Sequence, residues 1–365
     1  MLAHLLTHLG RAAQATLHEE GRWHGHRTFL LDGSGCSMPD TAPLQDACGQ
    51  PANHHPGCGL PVVHLLAFFH AGTGLLMPRI TAPLHPHERS QVRRLHPALQ
   101  PGDILVADRG LSSYAHIAWA VQGALQVVFR VGARQIVDFA PHRPFVMPGT
   151  RQTPQMKGMP RSRWLTAQGK VAQHVAWFKP KICPAWLDRQ NFDALPASLK
   201  LRELRYQVPP RGFRSRHITL VTTLLDAAWY PTDALAELSC TRWEAETHLA
   251  QLKTTMKMDI LPCKTVPGVL KELLVFAIVD NLVRLVMVPS AHRQGVDVDC
   301  ISFIDALRWL GALETAVSVD GLIVNPTRPH RFEPRVKKRR SKNHPCMVIP
   351  RHELRQRLKR QAVED

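Results

Sequence analysis

Arg242, Glu246 and Lys253 follow one another at the spacing R-x3-E-x6-K. On an α-helix, steps of four, seven and eleven residues return to nearly the same face. With Arg242 as origin, Glu246 falls at roughly 40° and Lys253 at roughly 20° around the axis. Leu238, Ala245, Leu249, Leu252 and Met256 form an apolar stripe alongside, between roughly 280° and 340°. One carboxylate thus borders the buried face with two cations beside it. Glu244 falls at roughly 200° and is expected to point away. An ordinary amphipathic helix with i,i+4 charge pairs gives the same pattern, so the chemistry depends on what this helix meets.

Two more carboxylates stand at positions that suit it. Asp32 follows Thr28-Phe-Leu-Leu31, and Asp108 follows Ile104-Leu-Val-Ala107. Each apolar run reads as a short buried strand, ended by Asp32-Gly33 or by Asp108-Arg109-Gly110. The carboxyl end of a strand is where open sheets present functional groups, although Asp-Gly and Asp-Arg-Gly are also common turns. With Glu246 the order is D…D…E. Three carboxylates at one point repel unless cations lie between them. Mg2+ (or Mn2+) prefers carboxylate oxygens, and a pair of such ions clamps the attacking and leaving oxygens of an in-line phosphoryl displacement. Arg242 and Lys253, one and two turns from Glu246, are placed to hold phosphates.

The elements that carry these residues can be read from the apolar pattern. Pro61–His70 is strand-like, Ala71–Gly74 is a turn, and Leu75–Ile80 returns as a second strand of a hairpin. Ser34 to Leu60 reads as a Gly/Pro/His-rich loop. His87–Leu99 is expected to form a short helix. Ser112 or Ser113 caps another that runs to about Gln122, and Gln126–Val131 is the next strand. From Gly132 to Ala236 the rhythm breaks, with Pro, Arg and Trp in plenty and strand candidates at Gln173–Phe178, Leu201–Val208 and His217–Thr223. This stretch is expected either to build its own small β-structure or to be loosely ordered. Its aromatic residues, Trp164, Trp177, Phe178, Trp186 and Trp229, suit either core packing or base stacking. The signature helix starts near Asp233. Apolar helices follow at Lys271–Val288 and at Phe303–Leu310, the latter capped by Ser302.

Bulk composition narrows the function. The chain has 365 residues, 44% of them apolar, and 46 Lys+Arg against 29 Asp+Glu for a net charge of +17. That length buries a sizeable core, and that charge favours a polyanionic partner such as nucleic acid. No uninterrupted apolar run reaches membrane-spanning length, so no span is expected. The N-terminus lacks a signal peptide pattern. The eight cysteines are scattered without a C-x2-C pair, which argues for reduced thiols in a cytoplasmic protein. His54-His55 and His85-Pro-His87 lie in Pro-rich loops without paired ligand spacing. The tail from Arg328 to Arg360 carries thirteen Lys/Arg against two Glu, including Lys337-Lys338-Arg339-Arg340. It reads as a basic arm leading into a short helix.

The residues around the three carboxylates resemble a bacterial insertion-sequence transposase of the DDE type, in the group marked by Y-x2-R-x3-E-x6-K (the "IS four" family). The matching pieces are Leu31-Asp-Gly-Ser-Gly-Cys-Ser-Met-Pro-Asp40, Leu105-Val-Ala-Asp-Arg-Gly110, and Arg242-Trp-Glu-Ala-Glu246 with Lys253-Thr-Thr-Met-Lys-Met-Asp259. The resemblance covers the chain from about Trp23 to the basic tail. It implies an α/β fold: a ribonuclease H-like mixed sheet flanked by helices, with a β-rich insertion before the last catalytic helix. Residues 1–131 and 237–326 would form the catalytic core, 132–236 the insertion and 327–365 the tail. It further implies cut-and-paste transposition of double-stranded DNA by strand hydrolysis and strand transfer. Asp32, Asp108 and Glu246 would be catalytic and would hold two Mg2+ (or Mn2+) ions. Arg242, Lys253, Lys257 and the tail residues Lys337, Lys338, Arg339 and Arg340 would contact DNA. A homodimer on DNA, close to the nucleoid of a bacterial cytoplasm, is the expected working form.

Two departures from the pattern stand out. The signature tyrosine falls at Ser239, and only about thirty residues precede Asp32. A non-catalytic or inhibitory DNA-binding remnant, and a metal-dependent nuclease without strand transfer, are the alternatives.

Overall fold

A computed structural model describes residues 22–51, 54–77, 96–132, 134–151, 153–208, 216–312 and 347–364, with a few isolated positions besides. Eight strands form one sheet: β1 (Thr28–Ser37), β2 (Val62–His70), β3 (Ile104–Ala107), β4 (Gln126–Arg130), β5 (Ser162–Ala167), β6 (Ala172–Phe178), β7 (Ser198–Val208) and β8 (Arg216–Thr222). Their spatial order is β2-β1-β3-β4-β8-β7-β6-β5. β1, β3 and β4 run parallel, and every other neighbouring pair is antiparallel. The helices are α1 (Ala42–Cys48), α2 (Tyr114–Gln122), α3 (Arg189–Asp193), α4 (Thr232–Ala250), α5 (Val266–Gln294), α6 (Phe303–Gly311) and α7 (Arg351–Glu364). The result is the mixed α/β sheet flanked by helices that the sequence leads one to expect.

Side-chain alternation along the parallel strands divides the core into two layers. Leu30, Val106 and Val128 face one side with Leu204 and Leu220. There they pack under Leu235, Leu238, Ala245 and Leu249 of α4 and Val269, Leu273 and Ala277 of α5. Phe29, Leu31, Leu105, Ala107, Val127 and Phe129 face the other side, against Tyr114–Ala120 of α2. Burial on both faces explains why β1, β3 and β4 read as unbroken apolar runs. Ser113 caps α2 by accepting from the backbone N–H of His116, and Ser302 caps α6 by accepting from that of Asp305.

The structure departs from the sequence expectation in several places. β1 does not stop at Asp32 but continues to Ser37, because β2 pairs with it residue by residue as far as Ser37↔Val62. The expected loop contains α1. The stretch 132–236 adds β5, which sequence reading missed, and it does not form a separate sheet. β8 pairs with β4, so β5–β8 extend the same sheet. Of the expected return strand, Leu76 makes one bridge to Phe69, and residues 78–91 lie outside the described part. The His85-Pro-His87 pair falls there too, and of the helix expected at His87–Leu99 residues 87–91 and 93–95 lie outside the described part, while His96–Ala98 form a short 3-10 turn. Helix α5 runs 29 residues and is long and apolar enough to cross a membrane. Here it is a core helix, and it buries an ion pair between Asp280 and Arg284, with Arg284 Nε donating to Asp280 Oδ2 at 3.1 Å.

Candidate functional site

Asp32 and Asp108 are brought together by strand pairing. β1 and β3 are parallel neighbours whose last register pair is Leu31↔Ala107. Each aspartate is the next residue on its chain, so the two stand side by side. Leu30 and Val106 belong to the layer under α4. Alternation therefore turns Asp32 and Asp108 to that same side. Helix α4, which carries Glu246, packs against β1, β3 and β4 on this face.

The local bonding of each carboxylate differs. Asp32 Oδ1 accepts from the Gly33 backbone N–H at 2.8 Å. Asp108 Oδ1 is shielded from solvent yet accepts no hydrogen bond. The Arg130 guanidinium of β4 lies 3.9 Å away from it. A buried carboxylate oxygen without a hydrogen is costly unless a cation satisfies it. Together with an all-oxygen donor set, this suits a hard divalent cation. Glu246 turns toward its own helix: Arg242 donates to its Oε1 from Nη1 and from Nη2, each at 3.1 Å. Among the described residues, no three His, Cys, Asp or Glu side chains stand close enough together to hold a metal ion.

The cations are placed differently from one another. Arg242 is buried, with its guanidinium 5.0 Å from the ring centre of the half-exposed Trp243. Lys253 lies in a single π-helical turn, Gln251–Thr255, that follows α4. Its ammonium donates to Ser34 Oγ at 3.1 Å and to the Gly35 carbonyl at 2.7 Å. Lys257 is exposed, with a left-handed backbone (φ 63°) just past that turn. Lys337, Lys338, Arg339 and Arg340 lie outside the described residues.

Two neighbours of the site escape a linear reading of the chain. Tyr206 of β7 donates its phenol to Ser239 Oγ at 3.3 Å, so a tyrosine from the sheet extension meets the helix where the signature has its own. Burial pushes that phenol up to about 12, so it remains a neutral donor. Nothing in the linear sequence pairs positions 206 and 239. The second is Glu244, which the helical wheel turns away from the core. It is largely buried instead, and burial together with Asp299 and Asp297 pushes its carboxyl up to about 8. The connection between α5 and α6 covers this side of α4. One turn on, the buried His248 faces Asp299, 3.8 Å from Nε2 to Oδ1. Burial, and then the charge of Arg284, hold the His248 imidazole below its usual range.

Comparison with known proteins agrees with the resemblance in its coarser form. The family described as transposase DDE domain matches residues 23–282. No curated protein matches the chain. A solved structure of the piggyBac transposase synaptic complex with hairpin DNA, determined by cryo-EM, is similar at 12% identity and a TM-score of 0.43. That similarity covers 82% of this chain and 58% of the piggyBac chain. With the family match spanning well over half of its residues, including Asp32, Asp108 and Glu246, the chain belongs to the transposase DDE domain family.

Proposed function

We propose that the protein cuts and joins double-stranded DNA as a transposase, with Asp32, Asp108 and Glu246 as its catalytic carboxylates. The observation that carries this reading is the register. Two aspartates stand side by side at the ends of adjacent parallel strands, under the helix that bears Glu246. Asp32 and Asp108 would hold Mg2+ or Mn2+, joined by Glu246. When bound, such ions lower the pKa of an attacking water and stabilise the leaving oxygen. The chain's own residues do the rest. Arg242 orients Glu246 through its two bonds. Arg130 offsets the charge of Asp108. Lys257 and the basic residues of α7 and of the tail attract phosphates. The ribonuclease H-like assignment of the parallel strands and a homodimer on DNA belong to the same proposal.

The test uses the full chain, duplexes carrying the ends of the surrounding element, and Mg2+ or Mn2+. Asp32→Asn, Asp108→Asn and Glu246→Gln should each abolish strand cleavage while duplex binding stays within about twofold, because none of them is a phosphate contact. Cleavage that survives any one substitution sinks that residue's assignment. Cut but unjoined products would reduce the activity to that of a nuclease. Binding without cutting by the unaltered chain would leave a DNA-binding remnant.

A further inference from the structure

Beyond Asp32, β1 has a strand neighbour on one edge only among the described residues, apart from the single bridge of Ser37 to Ile260. β3 pairs with it from Thr28 to Leu31 and then stops, whereas β2 continues to Ser37. The part left without a strand on that second edge is Gly33-Ser34-Gly35, paired to β2 alone, and its two glycines give it unusual conformational freedom. A Gly-rich strand held on one edge is less firmly fixed than one paired on both. Two groups from the end of the signature helix occupy that second edge. The Lys253 ammonium donates to Ser34 Oγ and to the Gly35 carbonyl. Further along, Ser37 N–H donates to the Asp259 carbonyl at 3.0 Å, and Leu261 N–H to the Ser37 carbonyl at 2.9 Å.

The π-helical turn is what brings Lys253 there. Met256 N–H reaches the Gln251 carbonyl five residues back, at 3.0 Å, instead of four. One extra residue in the turn rotates Lys253 relative to Glu246 and away from the angle that a plain α-helix gives it. Its charge also reaches the buried thiol of Cys36, which burial pushes up and Lys253 partly draws back.

We infer that Lys253 is a positioning residue: its ammonium takes the place of a neighbouring strand and fixes the Gly33–Gly35 segment, and with it the Asp32 carboxylate. This rests on the reading of Asp32 as a catalytic residue, but it assigns Lys253 a partner within the protein in place of a DNA phosphate. The alternatives differ in what they alter. A strand clamp controls the order of β1 in the absence of DNA and metal. A phosphate contact controls DNA affinity and its salt dependence.

The experiment measures both on the full chain without metal. Lys253→Met keeps the aliphatic stem and removes the donors. It should raise amide hydrogen exchange across Gly33–Cys36 by roughly tenfold or more, the scale of losing a charge-assisted hydrogen bond. Exchange at Phe29–Leu31, held on both edges, should stay put. The log–log salt slope of duplex binding should also stay unchanged. Lys253→Arg should restore much of the protection. Ser34→Ala should show a smaller rise and add little when combined with Lys253→Met. Should Lys253→Met fail to fold, Lys253→Arg and Ser34→Ala decide by the same measurements. Unchanged exchange across Gly33–Cys36 overturns the inference, and so does a salt slope shallower by roughly 0.9, the signature of one phosphate left without its cation. Neither measurement involves cleavage, so failure of the transposase reading would register separately, in the carboxylate variants.

Discussion

Acidic side chains two residues apart on one helix behave differently because of what covers them. Glu246 is half exposed and bonded to Arg242, whereas Glu244, two residues earlier, is held in a poorly hydrated spot near Asp297 and Asp299. A carboxyl whose folded pKa is raised stabilises the fold while protonated. That contribution is complete below the unfolded value near 4.5 and is lost as pH rises through about 8. Glu244→Gln removes the titration and keeps the shape. Its thermal stability should exceed that of the parent by an amount that grows from about pH 5 and levels off above about pH 8. Cleavage should be unaffected, since Glu244 lies on the far side of α4 from Glu246. A pH-independent difference in melting would show that the burial of Glu244 is misplaced. Arg242→Met should instead lower cleavage by about tenfold or more, the scale of one charge-assisted bond orienting a catalytic group. Lys253 and Glu244 show where a helical wheel runs short. The Arg242–Glu246 pairing follows from adjacent turns of one helix and is visible on the wheel. The π turn is not, and neither is the cover supplied by residues some fifty positions away.

At the scale of elements, the apolar runs before Asp32 and Asp108 made both strands legible, since a parallel strand buried on two faces has to be apolar throughout. Ser113 and Ser302 likewise marked helix starts through their caps. In the extension β6, β7 and β8 were legible as strands, whereas β5 was not. β5, Ser-Arg-Trp-Leu-Thr-Ala, shows neither an apolar run nor a regular alternation, and in β7 the charged Glu203 is buried, with Trp177 and Gln173 donating to it at 2.9 and 2.8 Å. No single-sequence pattern shows that β8 will choose β4 as its neighbour. The pairing can be tested through Leu220, which is fully buried beneath α4. Leu220→Ala should cost about 2–5 kcal/mol in chemical denaturation, with the loss shared by both parts of the sheet if they unfold as one unit. A second element-level test is Gly74, which has φ +68° in the turn after β2 and lies directly against the Arg284 guanidinium. Gly74→Ala meets both a left-handed backbone and a buried cation bonded to Asp280 and Gln251. It should destabilise the protein by roughly 2–3 kcal/mol.

Over the whole molecule, the excess of cations reaches beyond the carboxylate face. Helix α7 carries Arg357, Lys359 and Arg360 in exposed positions. It is moored by Arg351, whose Nε donates to the Cys58 carbonyl at 3.1 Å, and by Arg355, which pairs with Asp40 at 3.1 Å. Asp40 follows the end of β1, so the basic helix is tied to the segment that leads away from Asp32. Removing the chain after Pro326 should weaken binding to all duplexes alike and flatten the salt dependence, by roughly 0.9 for each phosphate that the tail had neutralised. An unchanged slope would mean that the tail stays off the DNA. The sheet has another property, and it is mechanical. β1 and β2 are laced together from Phe29↔His70 to Ser37↔Val62, and β7 and β8 from Arg202↔Thr222 to Val208↔Arg216. Between these two broad plates the join is shorter: β4 meets β8 through Val128↔Thr222, Phe129↔Val221 and Arg130↔Leu220, flanked by Val131 N–H donating to the Thr219 carbonyl at 2.9 Å and Thr223 N–H to the Val127 carbonyl at 3.4 Å. Under a load drawing Phe29 and Trp177 apart, tension concentrates on that short join. The sheet should tear there first, as a perforated strip does, releasing each plate intact before either one unravels.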